Sequence, residues 1–177
     1  MTQIRILFVC PGNAYRSVLA LGAMRHLIAG EDRLDGFLLD AAGASAAQTP
    51  PALDAPLLGA AHRNQISLDD HRARRVEPCD FKSFDLLLAM DPASKACLVA
   101  SAPPGTAQKV HQLLDFAPWI GMAEFPITDG LDADSCDDMI DLLLLALRGL
   151  LEVIDQSKRD FAVALAPRAR LKVASGT

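Results

Sequence analysis

Residues 4–17 read IRILFVCPGNAYRS, an apolar run that ends in a thiol and leads into a short polar loop. The run before Cys10 is typical of a buried strand. Arg16 follows six positions later. Beyond it, apolar side chains recur at helical spacing, at Val18, Leu21, Met24 and Ile28. The sequence therefore predicts a strand, a loop and a helix, with a cysteine at the start of the loop and an arginine at its end.

The loop has the composition of an anion-binding site. Successive backbone N–H groups in a turn of this length converge on one point, and the positive end of the following helix adds to their field. That field favours the thiolate of Cys10 over the thiol. Arg16 offers a planar fork for two phosphate oxygens, and the hydroxyl of Ser17 is placed to hydrogen-bond the sulfur. The predicted phosphate-binding residues are therefore Pro11, Gly12, Asn13, Ala14, Tyr15, Arg16 and Ser17.

Two residues are expected to shape the backbone of this loop. Gly12 allows backbone angles closed to other residues and a close approach of the ligand. Asn13 tolerates a left-handed conformation and can brace the loop with its side chain. The alternative interpretation is a buried structural cysteine with Arg16 as a solvated helix residue, but the strand–loop–helix context favours the anion loop.

Four segments resemble the low-molecular-weight protein tyrosine phosphatases. Residues 9–17 are similar to the family's phosphate loop, usually written VCxGNxCRSP. Residues 71–74 are similar to its His-x-Ala-Arg segment, which implies that His71 supports the loop. Residues 84–91 resemble its third strand, and residues 109–118 its fourth strand and exit loop. The order of the four segments is also the family's.

The resemblance extends from residue 4 to about residue 155. It implies an α/β fold in three layers: an open four-stranded parallel sheet with helices on both faces and a phosphate loop after strand one. The alternation of strand and helix patterns favours the same class. We place the phosphatase-like domain at residues 1–156 and an appended C-terminal tail at 157–177. The predicted strands are Ile4–Val9, Phe37–Asp40, Phe84–Met90 and Lys109–Leu114. The predicted helices are Ser17–Ala29, Leu53–Arg63, a short segment at Asp69–Arg75, one from Ala93, and Ser135–Gln156.

The chain departs from the family's pattern at the general acid. The family carries an Asp-Pro pair before its last helix, which protonates the leaving oxygen and then activates water. An ungapped count back from that helix places the pair at Ile127-Thr128, where this chain has neither residue. Asp129 is the nearest carboxylate and the candidate acid, with Asp132 and Asp134 behind it. The alternative for Asp129 is a turn residue, because Asp-Gly is a turn signal.

Other departures concern the phosphate loop and the residues expected to flank the substrate's aromatic ring. Tyr15 stands where the family has a second cysteine, so the local disulfide of the family cannot form. Ala41–Ala44 stands where the family has a segment whose serine braces the loop asparagine, so that brace is expected to be missing. The aromatic residues that flank phosphotyrosine in the family are absent from Gln48–Pro51 and from Gly130-Leu131. Trp119 is the nearest large aromatic residue, with simple packing as its alternative role.

Composition indicates the expected partners and compartment. A net charge of −5 gives no reason to expect nucleic acid as a partner. Arg72, Arg74 and Arg75 form a local basic cluster that is interpreted as a solvated helix start, with a binding patch as the alternative. The apolar run Leu142–Leu147 is too short and too interrupted by charges for a membrane span. The absence of a signal sequence, and four cysteines without metal-ligand spacing, predict a cytoplasmic protein with no metal and no cofactor. The sequence does not indicate the oligomeric state.

The predicted function is that of a phosphomonoester phosphatase acting on a phosphorylated protein or a small phosphomonoester. Cys10 is the nucleophile, Arg16 holds the phosphate oxygens, and Asp129 is the acid and base. A thiol-dependent arsenate reductase is one alternative; it needs two relay thiols, and Cys79 and Cys97 lie 18 positions apart, which is wider than that group's close pair. A non-catalytic phosphate- or phosphoprotein-binding descendant is the other, because fold alone does not guarantee activity.

Overall fold

The structure, a computed structural model, has a four-stranded parallel sheet at its centre. It describes residues 3–45, 53, 55–68, 72–121, 125 and 133–165, with the backbone alone for 133–134 and 158–165. The strands are β1 (Ile4–Cys10), β2 (Phe37–Gly43), β3 (Leu86–Ala89) and β4 (Val110–Gln112). Their spatial order is β2-β1-β3-β4, which places β1 in the interior of the sheet. The predicted fold class is confirmed.

Helices cover both faces of the sheet. They are α1 (Arg16–Gly30), α2 (Ala55–Arg63), α3 (Asp80–Ser83), α4 (Pro92–Ser101) and α5 (Ala133–Leu165). Short 3-10 turns lie at Leu34–Gly36, Ala107–Lys109, Leu113–Phe116 and Pro118–Ile120. Within the described residues no helix is both long enough and apolar enough to cross a membrane.

The core has two layers, one on each side of the sheet. One layer packs α1, α2 and α5 against alternate β1 side chains, among them Ile6 and Phe8. The other packs α3 and α4 against the intervening side chains, Leu7 and Val9. All four of these side chains are fully buried. A strand buried on both faces has a continuous apolar sequence, which explains the unbroken run before Cys10.

Several predicted elements differ in extent. β2 runs on to Gly43, and β4 shortens to three residues because 3-10 turns flank it. α5 continues to Leu165, nine residues beyond the predicted end at Gln156. This helix crosses the boundary that we placed between a domain of 1–156 and a tail of 157–177, and that division stays a prediction. The helical turn α3 was not predicted.

The predicted helical segment at Asp69–Arg75 is wrong over its described part. Residues Arg72–Arg75 are not helical, and Arg75 pairs with Gly43 as a parallel bridge. Two backbone hydrogen bonds hold this pairing: Gly43 N–H donates to Arg74 O at 2.8 Å, and Val76 N–H donates to Gly43 O at 3.0 Å. The chain thus forms a short extra edge beyond β2, which we call the edge segment, residues 72–76. The backbone's hydrogen bonds to the sheet outweighed the local helix signal.

Candidate active site

Cys10 lies at the carboxyl end of the interior strand β1, with its side chain 3% exposed. Its register partner on β2 is Gly43. Two backbone hydrogen bonds continue the pairing into the loop: Ala44 N–H donates to Cys10 O at 2.9 Å, and Ser45 N–H donates to Pro11 O at 3.1 Å. In open parallel sheets this end carries the ligand sites. The sulfur therefore sits at the expected position for chemistry, in a loop that the sheet holds from one side.

A buried hydrogen-bond chain connects the sulfur to the loop. The Cys10 Sγ and Ser17 Oγ atoms are 3.0 Å apart, and Asn13 Nδ2 donates to the same Ser17 oxygen at 3.1 Å. Asn13 and Ser17 are fully buried. Because the Asn13 amide supplies a proton to the hydroxyl oxygen, the hydroxyl is free to donate its own proton to the sulfur. This is the contact expected between Ser17 and the thiol, and it suits a sulfur that carries negative charge.

The strained position of the loop is Asn13, with φ of 53°. Asparagine is among the few residues that adopt this left-handed conformation readily, so the expectation for Asn13 is confirmed. The expectation that Gly12 takes backbone angles closed to other residues is wrong, since its φ is not positive. A methyl group at Gly12 would meet no protein atom within 4 Å. That open space leaves the backbone accessible to a ligand, which is the other role expected of the glycine.

Arg16 opens α1 directly behind the loop and is held by a buried carboxylate. Its Nη2 lies 3.2 Å from Asp91 Oδ2, and the two side chains are 13% and 5% exposed. Asp91 lies two residues beyond the end of β3 and caps α4: its Oδ1 accepts from Ser94 N–H at 2.7 Å, and its Oδ2 from the Ser94 hydroxyl at 3.0 Å. The cap fixes the carboxylate, and the carboxylate fixes the guanidinium. Arg16 is thereby oriented before any ligand arrives.

The edge segment supports the loop from the other side. Arg74 N–H donates to Asn13 Oδ1 at 3.0 Å, so both ends of the Asn13 amide are bound. The Arg74 guanidinium in turn binds the carboxylates of Asp40 and Asp80. Burial alone would lower the pKa of Arg74, but the hydrogen bonds with Asp80 and Asp40 outweigh it and raise the pKa. Arg74 is thus a permanently charged anchor and not the solvated helix residue that we expected.

These contacts produce a thiol, a guanidinium and a helix amino terminus that meet at one end of the sheet. This is the arrangement needed to bind a tetrahedral oxyanion and attack it with sulfur. The family model described as low molecular weight phosphotyrosine protein phosphatase matches residues 5–165. The chain belongs to this family. The members of this family are hydrolases, namely protein tyrosine phosphatases, and the chain is therefore an enzyme of this class.

Curated family members and solved structures extend the match. The chain is 33% identical over 111 residues to low molecular weight phosphotyrosine protein phosphatase 2 of Drosophila melanogaster, which covers 63% of this chain and 67% of that protein. It is 28% identical over 159 residues to the low molecular weight protein-tyrosine-phosphatase YfkJ of Bacillus subtilis, covering 89% and 99%. The crystal structure of a protein tyrosine phosphatase from Entamoeba histolytica, with Hepes in its active site, superposes with a TM-score of 0.81. That pair is 26% identical and covers 88% of this chain and 99% of the other.

The structure brings the predicted loop residues together around Cys10. The predicted residues outside the loop are not placed: His71, Asp129 and Asp132 lie outside the described residues, as do Gln48–Pro51 and Gly130-Leu131. Asp134 is described by its backbone alone, in the first turn of α5. The family assignments for these residues remain predictions. Within the described part of the chain, no group of three side chains is suited to hold a metal ion.

Sequence reasoning missed two supporting residues. Asp91 binds Arg16, and Arg74 binds Asn13; neither contact was predicted from the sequence. Asp91 carried one usable signal, because an Asp-Pro pair at a strand's end with Ser94 downstream is a helix cap. Trp119 is 64% exposed and is therefore not a packed core residue.

The two candidate relay thiols lie on different helices. Cys97 is on α4, with its sulfur 3.6 Å from Ala44 O, and Cys79 immediately precedes α3. The Cys79 thiol donates to a Glu77 carboxylate oxygen at 3.5 Å. That hydrogen bond, with burial second, raises the pKa of Cys79. A raised pKa lowers the fraction of attacking thiolate, which disfavours Cys79 as a relay in arsenate reduction.

Proposed function

We propose that this protein hydrolyses phosphotyrosine in proteins, and small phosphomonoesters, through a phosphocysteine intermediate. One observation carries the proposal: the Cys10 sulfur, at the carboxyl end of an interior strand, lies 3.0 Å from a buried Ser17 hydroxyl beneath the helix that Arg16 opens. Family membership and the names of the similar proteins support the substrate class.

In the first step the Cys10 thiolate attacks phosphorus. A sulfur–phosphorus bond forms as the bond from phosphorus to the leaving oxygen breaks. Arg16 and the loop amides hold the three equatorial oxygens, and their fixed orientation stabilises the charge that develops there. The leaving oxygen takes a proton from a general acid, for which Asp129 is our candidate.

In the second step water attacks phosphorus and the sulfur–phosphorus bond breaks. The water's proton passes to the carboxylate that gave its proton in the first step, and inorganic phosphate leaves. Ser17 donates a hydrogen bond to the departing sulfur, which makes the thiolate a better leaving group. Asn13 keeps the Ser17 hydroxyl turned toward the sulfur throughout. His71 is proposed as a further support of the loop.

We also propose a cytoplasmic location, because this mechanism requires a reduced thiol and the cytoplasm keeps thiols reduced. None of the four cysteines, Cys10 included, forms a disulfide bond in the structure. The proposed partner is a phosphorylated protein.

The test is hydrolysis of p-nitrophenyl phosphate by the native protein and by Cys10→Ser, with Cys79→Ser as the matched thiol control. We expect turnover in the native protein and the control and none in Cys10→Ser. Asp129→Asn should reduce kcat by about 100-fold or more, in line with general acid catalysis. Turnover that survives in Cys10→Ser contradicts the phosphocysteine mechanism.

Two further assays, of vanadate binding and of arsenate reduction, test the alternatives. Vanadate binding without turnover in the native protein indicates a phosphate-binding module. Arsenate reduction that needs Cys79 and Cys97 indicates a reductase.

A further inference from the structure

The edge segment carries three arginines, and the structure assigns them different tasks. Arg74 is engaged by Asp40 and Asp80 on the far side of the sheet. Arg72 and Arg75 are exposed, and neither forms a salt bridge with any residue that the structure describes. Within the described part of the chain, Arg74 is therefore the arginine of this segment that the fold engages, and Arg72 and Arg75 present their charges to solvent.

The register of the sheet places Arg75 in line with the nucleophile. Arg75 pairs with Gly43, and Gly43 pairs with Cys10. Adjacent strands lie about 4.8 Å apart, so the backbone of Arg75 is about 10 Å from that of Cys10. Residues paired across a sheet project from the same face. Arg75 and the sulfur therefore share one face, and the residue between them, Gly43, has no side chain.

The segment is also fixed relative to the loop. The backbone N–H of Arg74 binds the Asn13 side chain, and along the edge Gly43 N–H donates to Arg74 O while Gly43 O accepts from Val76 N–H. The Arg74 guanidinium is clamped between two carboxylates. The backbone of Arg75 is consequently held at a set distance from the anion site, as a specificity determinant requires.

Charge determines what these arginines can recognise. The chain has a net charge of −5, which repels acidic peptides in general. Arg72 and Arg75 add two exposed positive charges to the edge segment, which binds the loop through Arg74 N–H, and these charges oppose that repulsion. Arginine binds carboxylates through a fork of two hydrogen bonds.

We propose that Arg75, assisted by Arg72, selects phosphotyrosine segments with acidic side chains next to the phosphotyrosine. The proposal rests on the proposed phosphatase function and names its preferred substrate class. Arg72 and Arg75 are specificity residues, and neither contacts the reacting atoms.

The test compares two synthetic phosphotyrosine peptides of equal length, one with Glu and one with Gln on both sides of the phosphotyrosine. At low salt the native enzyme should show a kcat/KM about tenfold higher for the Glu peptide, since each exposed ion pair contributes about threefold. In the double variant Arg72→Gln/Arg75→Gln the ratio should fall below about twofold, with the loss in KM. Arg148→Gln, which removes an exposed arginine on α5, is the matched control and should keep the native ratio.

Two further measurements exclude a merely structural role. Arg75→Glu should turn the preference toward a peptide with Lys at the same positions. The native ratio should also shrink as salt is raised, because the contacts are exposed. Equal kcat/KM for the Glu and Gln peptides in the native enzyme overturns the proposal, and so does an equal change of the ratio in Arg148→Gln.

Failure of the phosphatase function is distinguishable from failure of this inference. If the native protein hydrolyses neither peptide nor p-nitrophenyl phosphate, the phosphatase proposal fails. Peptide affinity, measured by calorimetry on Cys10→Ser, still tests the arginines in that case. Tighter binding of the Glu peptide supports the inference, and equal affinity for both peptides refutes it.

Discussion

Asp91 performs two tasks with two different oxygens, and the substitution Asp91→Asn separates them. Its Oδ1 caps α4 at Ser94 N–H, and its Oδ2 forms the salt bridge with Arg16. Asparagine is as good a cap as aspartate. In Asp91→Asn the cap oxygen stays, but an NH₂ group faces the guanidinium where an oxygen had been. Two donors then oppose each other, so Arg16 loses its partner while α4 keeps its cap.

The burial of the pair determines the size of the effect. Removing one partner of a buried ion pair costs about 3–5 kcal/mol. The lower end of this energy range applies, because the Arg16 side chain is still 13% exposed to solvent. For a domain of this size, about 3 kcal/mol lowers Tm by about 6 to 12 °C. Asp91→Ala also loses the cap, which adds about 1 kcal/mol. With Arg16 released from its orientation, kcat/KM should fall about 10- to 100-fold in both variants.

The assay combines thermal unfolding with p-nitrophenyl phosphate kinetics for both variants. Asp85→Asn is the matched control, because Asp85 pairs with Arg5 in a half-exposed bridge at the opposite end of the sheet. It should change Tm far less and leave kcat/KM unaltered. If Asp91→Asn keeps the native kcat/KM, the reasoning that Asp91 orients Arg16 is refuted. Equal Tm values for Asp91→Asn and Asp91→Ala would show that the cap does not contribute.

Three other predictions concern the sulfur, the helix contact and pH. Ser17→Ala should lower kcat about tenfold by removing a hydrogen bond to a charged sulfur, worth about 1.5 kcal/mol, and should also lower Tm because the buried Asn13 amide loses its acceptor. Stopped-flow kinetics should show slower breakdown of the phosphocysteine, and an unchanged rate contradicts this. Gly149→Ala should destabilise the protein by about 1–3 kcal/mol in urea unfolding, since the alanine Cβ would clash with the backbone oxygen of Phe116. A more stable variant would show that the helix propensity of alanine outweighs the clash. Arg5, through its hydrogen bond, holds the pKa of Asp85 below its usual value, so the pair's contribution is full above a pH of about 4 and is lost as pH falls through the lowered pKa. The Tm difference between the native protein and Asp85→Asn should therefore close between pH 6 and pH 2, and a constant difference contradicts the assignment.

The part of the site built from consecutive residues could be predicted from the sequence. The strand, the loop and the first helix are adjacent in the chain, so the apolar run, the turn residues and the helical spacing predict them locally. The contact between Ser17 and the sulfur follows from the same proximity. The left-handed residue was also predictable, because Asn13 is among the residues that adopt that conformation readily.

The part that depends on distant residues could not be predicted in this way. Arg74 reaches Asn13 across 61 positions, and its segment joins the sheet although its arginines resemble a helix start. The pairing of Arg16 with Asp91 depends on β3 lying beside β1. Local patterns do not contain strand order, so both contacts required the fold. His71 and Asp129 stay predictions, which the proposed variants test.

The hydrogen bond between Arg74 N–H and Asn13 makes one backbone amide proton a reporter on the whole phosphate loop. This proton exchanges with solvent only when the edge segment detaches from the sheet or the hydrogen bond to Asn13 breaks, and either opening removes a contact that supports the loop. Hydrogen exchange at this amide therefore measures how often the site comes apart, without a substrate and without touching the thiol. Bound phosphate should slow that exchange because it stabilises the loop in the conformation described here, so the exchange rate of this amide also reports ligand binding.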